Sequence, residues 1–137
     1  MRRGLLGVMG VALLLGGCAG LFNPAAEWPR VGDEFVQRLR WREYAGAAAY
    51  VAEERRSDFL VWTAALAPLQ VVDGRIESFV LKDQDRRAEA IAVLDYYRLP
   101  SARLQRWQLT QQWEYRGGGT LTPGDWQLVG ALPTPPE

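Results

Sequence analysis

Histidine is missing altogether from the 137 residues, and cysteine occurs once, at position 18. Without histidine there are no His-based catalytic triads, no Cys/His zinc sites and no imidazole pH switch. One cysteine cannot form an internal disulfide. A charge excess is lacking too: 16 basic residues balance 16 acidic ones, where a nucleic-acid binder needs a strong basic surplus. Apolar runs are also short. The h-region, Gly4 to Gly17, falls below the roughly 20 residues that span a hydrocarbon core.

That short run has its own meaning. Arg2 and Arg3 form a positive n-region, the apolar h-region follows, and small residues precede Cys18; this is the layout of a secretory signal. Leu15, Gly16, Gly17 and Cys18 resemble the lipobox of bacterial lipoproteins. The resemblance implies acylation of the Cys18 thiol, cleavage before it, and attachment to a lipid bilayer. It also accounts for a lone thiol in an exported chain, which is otherwise unusual. The alternative is an ordinary signal peptide with an incidental cysteine. Two or more acyl chains, at about 0.8 kcal/mol per buried methylene, anchor stably where one chain is marginal. Ala19 rather than Asp after the cysteine resembles the outer-membrane sorting rule. The expected location is therefore the cell envelope, on the outer membrane facing the periplasm.

Cleavage leaves 120 residues with 14 basic and 16 acidic side chains, enough for one ordinary domain. With the thiol committed to lipid, chemistry would rest on Asp, Glu, Lys, Tyr, Ser or Thr, and neither metal nor cofactor is expected. Six tryptophans lie in the mature part. They serve either core packing or an aromatic-lined pocket.

Along the chain, residues 1–17 are the cleaved signal and 18–31 the lipidated cysteine and a tether. Asn23-Pro24 and Trp28-Pro29 disfavour helix before each proline. A single domain follows over 32–132, and 133–137 form a solvated proline-rich tail. Asp33 is placed to cap a helix carrying Phe35, Val36 and Leu39. Ala45, Ala48, Ala49 and Ala52 share the face of a second helix. Phe59, Trp62 and Leu66 mark a third, closed by Pro68. The period then changes. Leu69 to Lys82 reads as one long strand bent by a bulge at Asp73-Gly74, and Ala88 to Leu99 as a strand covered on both sides. Arg103 to Arg116 alternates, with Trp107, Leu109, Gln111, Trp113 and Tyr115 on one face. Trp126 to Leu132 is the last strand.

Helices followed by about four antiparallel strands define an α+β fold, with N-terminal helices packed on a curved sheet. The helical pair Phe35 to Tyr50 with Arg40-Trp41, the run Asp95-Tyr96-Tyr97-Arg98-Leu99-Pro100, and the strand Trp107 to Trp113 resemble a group of small proteobacterial lipoproteins. Their domain is similar to the NTF2-like cone. The wider cone superfamily includes enzymes, such as ketosteroid isomerase and scytalone dehydratase, as well as binding and assembly modules. Fold alone does not choose among them.

Two sets of residues are candidates for a site. Asp95 shares a strand face with Ile91, Val93 and Tyr97. A carboxylate in such company can have a raised pKa and act as a general base, with Tyr97 as hydrogen-bond donor. Trp107, Gln111 and Trp113 can line a pocket in which Gln111 orients a ligand. The plainer alternatives are that an arginine such as Arg98 or Arg103 satisfies Asp95, and that Gln111 reaches a backbone group. The cone enzymes that the resemblance brings in lean on histidine or a second acid. Neither is found beside Asp95, so no catalytic role is carried over. Three readings remain, in order: a non-enzymatic envelope lipoprotein that binds another envelope protein; a binder of a small apolar ligand; and a small acid/base enzyme using Asp95.

Overall fold

In the computed structural model, which describes residues 22–119 and 121–137, the first helix begins far ahead of residue 32. Helix α1 spans Pro24–Arg40. Asn23 is extended and its side chain accepts from the Ala25 amide at 3.1 Å, an N-cap. Pro24 takes the first helical position, where a missing N–H costs nothing. Pro29 lies deeper and removes one helical hydrogen bond. The helix continues because Trp28, Val31, Phe35, Val36 and Leu39 form a single buried stripe. Burial of that stripe overrides the local preference of the proline neighbours. The expected tether over 18–31 is therefore corrected from Pro24 onward, and Asp33 is an exposed mid-helix residue rather than a cap. The signal segment with Leu15, Gly16, Gly17 and Cys18 lies outside the described residues.

Helix α2 (Tyr44–Ala48) is short and buries Ala47. A 3₁₀ turn at Glu53–Arg55 leads into α3 (Arg56–Ala64), which buries Phe59 and Thr63. Four antiparallel strands follow in the order β1 (Gln70–Lys82), β2 (Arg87–Tyr97), β3 (Gln105–Gly117) and β4 (Gly124–Leu128). The bend expected at Asp73-Gly74 is present: the β1–β2 register shifts between Val71 and Asp73, and again between Ile76 and Ser78. Bulges of this kind add twist and let a long strand curve. Gly74 matters here for lack of a side chain, since a Cβ would sit 2.8 Å from Val36 Cγ1 and 3.0 Å from Leu94 Cδ2. Gln37 Nε2 donates to its carbonyl at 2.9 Å. So α1 lies directly on the bulged part of β1.

Even-numbered residues of β2 (Ala88, Ala90, Ala92, Leu94, Tyr96) and odd-numbered residues of β3 (Trp107 to Tyr115) face the helices and are buried. On the other face of β2 only Val93 is fully buried, so the strand is covered on both sides over a shorter stretch than its composition suggests. The last strand stops at Leu128 rather than Leu132. Beyond it the tail is docked rather than solvated: Trp62 Nε1 donates to the Pro133 carbonyl at 2.8 Å, and the Arg98 guanidinium donates to the Pro136 carbonyl.

Candidate functional site

Strand alternation puts the two sets of candidate residues on opposite sides of the sheet. Asp95 pairs with Arg106 across β2 and β3, and Gln111 pairs with Ala90. Asp95 points away from the helices and Gln111 points towards them. The two are not neighbours and cannot act on one ligand.

On the outer face, Asp95 Oδ1 accepts from Arg106 Nε at 2.9 Å and Oδ2 from Arg75 at 3.1 Å. Arg75 also reaches Asp73 at 3.0 Å. The hydrogen bond from Arg106 is the main cause holding the Asp95 carboxyl below its ordinary pKa. Burial opposes it, and Arg75 adds to it. The expectation of a raised pKa is thus overturned. Ile91 and Val93 do share its face, but its direct cross-strand partners are Arg106 on β3 and Asp73 on β1. A second acid does therefore stand beside Asp95, contrary to the sequence reading. Arg75 bridges the two carboxylates, and the arginines set the charge state. The arginine-satisfied alternative holds in kind, with Arg75 and Arg106 in place of Arg98 or Arg103. A carboxylate held ionised by two guanidinium groups is a weak base. Tyr97 lies one alternation further along the same face, half-buried.

On the inner face, Trp107, Gln111 and Trp113 do share one side of β3, and all three are buried. The space in front of them is filled. Trp113 meets Trp28 at 4.9 Å between ring centroids and Phe35 at 5.2 Å, edge-on in both cases. Trp126 and Phe79 close on the remaining sides of Trp28. Gln111 Oε1 accepts from Trp113 Nε1 at 2.9 Å, while its Nε2 has no partner among the described residues. Trp107 packs on Trp62 at 5.8 Å, and Trp62 stacks on Phe59.

Open space lies instead at the side of the cone. Val51, Phe59, Trp62, Leu128 and Leu132 line a half-enclosed recess of about 130 Å³, with Arg55 and Asp58 paired at its rim 3.4 Å apart. This recess is the size of a side chain. A larger, open cleft of about 490 Å³, lined by Glu27, Arg30, Arg38, Tyr50 and Trp126, falls within the 300–1,000 Å³ of pockets that hold a typical small-molecule ligand. A second group missed in the sequence is Tyr50, which donates to Glu34 at 2.5 Å, while Arg30 holds the other carboxylate oxygen at 2.8 Å. The Tyr50 hydrogen bond, then that of Arg30, keeps Glu34 below its usual range. The Arg30–Glu34 and Arg55–Asp58 pairs have the i,i+4 and i,i+3 spacings that a helix brings together. The contact of Tyr50 with Glu34 and the recess itself join residues that no local pattern connects. Among the described residues, no cluster of His, Cys, Asp and Glu is arranged to hold a metal.

No protein-family model and no curated protein matches the chain. Among solved structures it is similar to the crystal structure of "a putative polyketide cyclase" from Xanthomonas campestris pv. campestris. The TM-score is 0.52 at 10% sequence identity, over 80% of this chain and 93% of that one. Helices followed by a curved four-stranded antiparallel sheet give this chain the α+β, NTF2-like cone fold. At that identity the likeness concerns fold alone.

Proposed function

We propose that the chain is a lipid-anchored envelope protein that acts as a non-enzymatic accessory or interaction module. The observation that supports this reading is the occupied interior. Trp28, with no exposed surface, fills the cone in front of Trp113, where a cone enzyme would have to admit a substrate. The cyclase description belongs to the structural neighbour, which at 10% identity shares the fold alone. An acid/base role for Asp95 is opposed by its two arginine partners.

The anchor adds a direction. Cys18 precedes Pro24 by six residues, which reach about 20 Å at full extension. Trp126 Nε1 donates to the Pro24 carbonyl at 2.9 Å and fixes the start of α1 to β4. An acylated Cys18 then holds the pole with the 83–86 turn close to the bilayer. The Arg98 end of the sheet points away from it, towards the periplasm for an outer-membrane protein.

Labelling with a palmitate analogue tests the anchor. The unaltered chain should incorporate label and be processed, and Cys18→Ser should do neither. A mutant still lipidated and processed would contradict the reading. Crosslinking the acylated chain in its own envelope tests the interaction role, with a discrete protein adduct expected. Recovery of a co-purifying small molecule and no adduct would favour the second reading, a binder of a small apolar ligand. The recess beside Phe59 and Trp62 is the feature that favours that alternative.

A further inference from the structure

The last residues are held in an unusual way. Val129 and Gly130 donate their amides to the Gln112 carbonyl, at 2.9 and 3.3 Å, as the chain leaves β4. Beyond them the segment Pro133-Thr134-Pro135-Pro136 has four carbonyls and a single backbone N–H, that of Thr134. It meets two side chains that can only donate: the Trp62 indole takes the Pro133 carbonyl, and the Arg98 guanidinium takes the Pro136 carbonyl. Indole and guanidinium have no acceptor function. Phe59, Trp62 and Trp107 form a continuous aromatic wall beside them, with successive centroids 5.8 Å apart. Arg98 Nε is buried with no partner among the described residues, which leaves donor capacity unused.

Aromatic walls with a carbonyl-seeking indole suit the extended polyproline conformation. That conformation is formed before binding, so little entropy is lost on docking. β4 covers only Trp113–Gly117 of β3, so the groove runs along the half of the sheet edge that has no strand beside it. The adjoining recess, bounded by Trp62 and Leu132, has room for one more apolar side chain.

We propose that the groove between α3 and the Arg98 end of the sheet is a binding site for an extended, proline-containing polypeptide of a partner protein, and that residues 133–136 occupy it as a competitor in cis. This rests on the interaction-module reading and names its partner class. It is tested on the purified chain, so its failure would leave acylation and capture in the envelope untouched.

A tethered tail acts at an effective concentration of about the millimolar range. A free peptide must overcome that advantage. The probe is the synthetic peptide Ala-Leu-Pro-Thr-Pro-Pro-Glu, titrated by calorimetry against the full processed chain and against the same chain with Pro133→Gly, Pro135→Gly and Pro136→Gly. The loosened tail should raise affinity for the peptide at least ten-fold, and adding Trp62→Phe should remove that gain. Equal affinity for both chains, no binding to either, or a gain that survives Trp62→Phe would overturn the proposal. The unaltered chain gives a second measurement that does not depend on the variants. The Trp62 indole proton, assigned by its loss in Trp62→Phe, should exchange with deuterium at least ten-fold faster than the Leu109 amide in β3. Exchange as slow as that amide would show a tail that does not release, and would also overturn the proposal.

Discussion

The indole of Trp28 meets that of Trp113 edge-on, with ring centroids 4.9 Å apart and planes inclined at 62°. One comes from the second turn of the first helix and the other from the centre of the sheet's inner face. Together with Phe35 and Trp126 they close the interior of the cone. Edge-to-face pairs of this kind contribute about 0.5–1.5 kcal/mol beyond the area they bury. The same contact decides where the domain begins, because it makes residues 24–31 part of the core.

The start of the domain can be tested at its cap. Asn23→Ala removes the side-chain acceptor of the Ala25 amide and should cost about 1 kcal/mol, read as a lower urea midpoint. A flexible tether at this position would show no change.

Gly74 reports how closely α1 sits on the sheet. Gly74→Ala forces a Cβ to within 2.8 Å of Val36 Cγ1, and overpacking at a buried site costs about 1–3 kcal/mol. Adding Val36→Ala to Gly74→Ala should cost less than the two single changes summed, since the clash is relieved. Thermal melts of the three variants give the answer.

Asp95 should be structural. Asp95→Asn is expected to lower stability at neutral pH by about 0.5–1 kcal/mol, the usual scale for ion pairs with exposed arginines. Its folded pKa is depressed, so the contribution is present above the unfolded value near 3.9 and is lost as the pH falls below it. Urea midpoints of the two proteins should therefore differ at pH 7 and draw together only as the pH falls from the unfolded value through the lower folded one. A base with a raised pKa would give the opposite sign.

Much of the sheet was legible from residue order. The alternation from Trp107 to Tyr115 identified β3 and its inner face, and Asp73-Gly74 marked the bulge, because both are properties of neighbours in sequence. The beginning of α1 was not legible. Local rules around Pro24 and Pro29 argue against a helix, and the burial of Trp28 that overrules them depends on Phe79, Trp113 and Trp126, on strands far along the chain. For the same reason strand alternation places Asp95 on one face with Ile91 and Val93, while its arginines come from adjacent strands whose register no local pattern gives. The docked tail likewise depends on Trp62 and Arg98, which the sequence does not connect to Pro133 or Pro136.

The closed interior is tested most directly by removing its plug and offering it back. Trp28→Ala should cost about 3–5 kcal/mol, and Trp28→Phe less, because the Trp28 Nε1 that it removes is buried with no partner among the described residues. Free indole should then raise the melting temperature of Trp28→Ala and leave the unaltered chain unchanged. At a hundredfold excess over its dissociation constant the stabilisation would be about 2.7 kcal/mol. An equal rise in the unaltered chain would mean that the cone admits a ligand past Trp28, and would contradict the account.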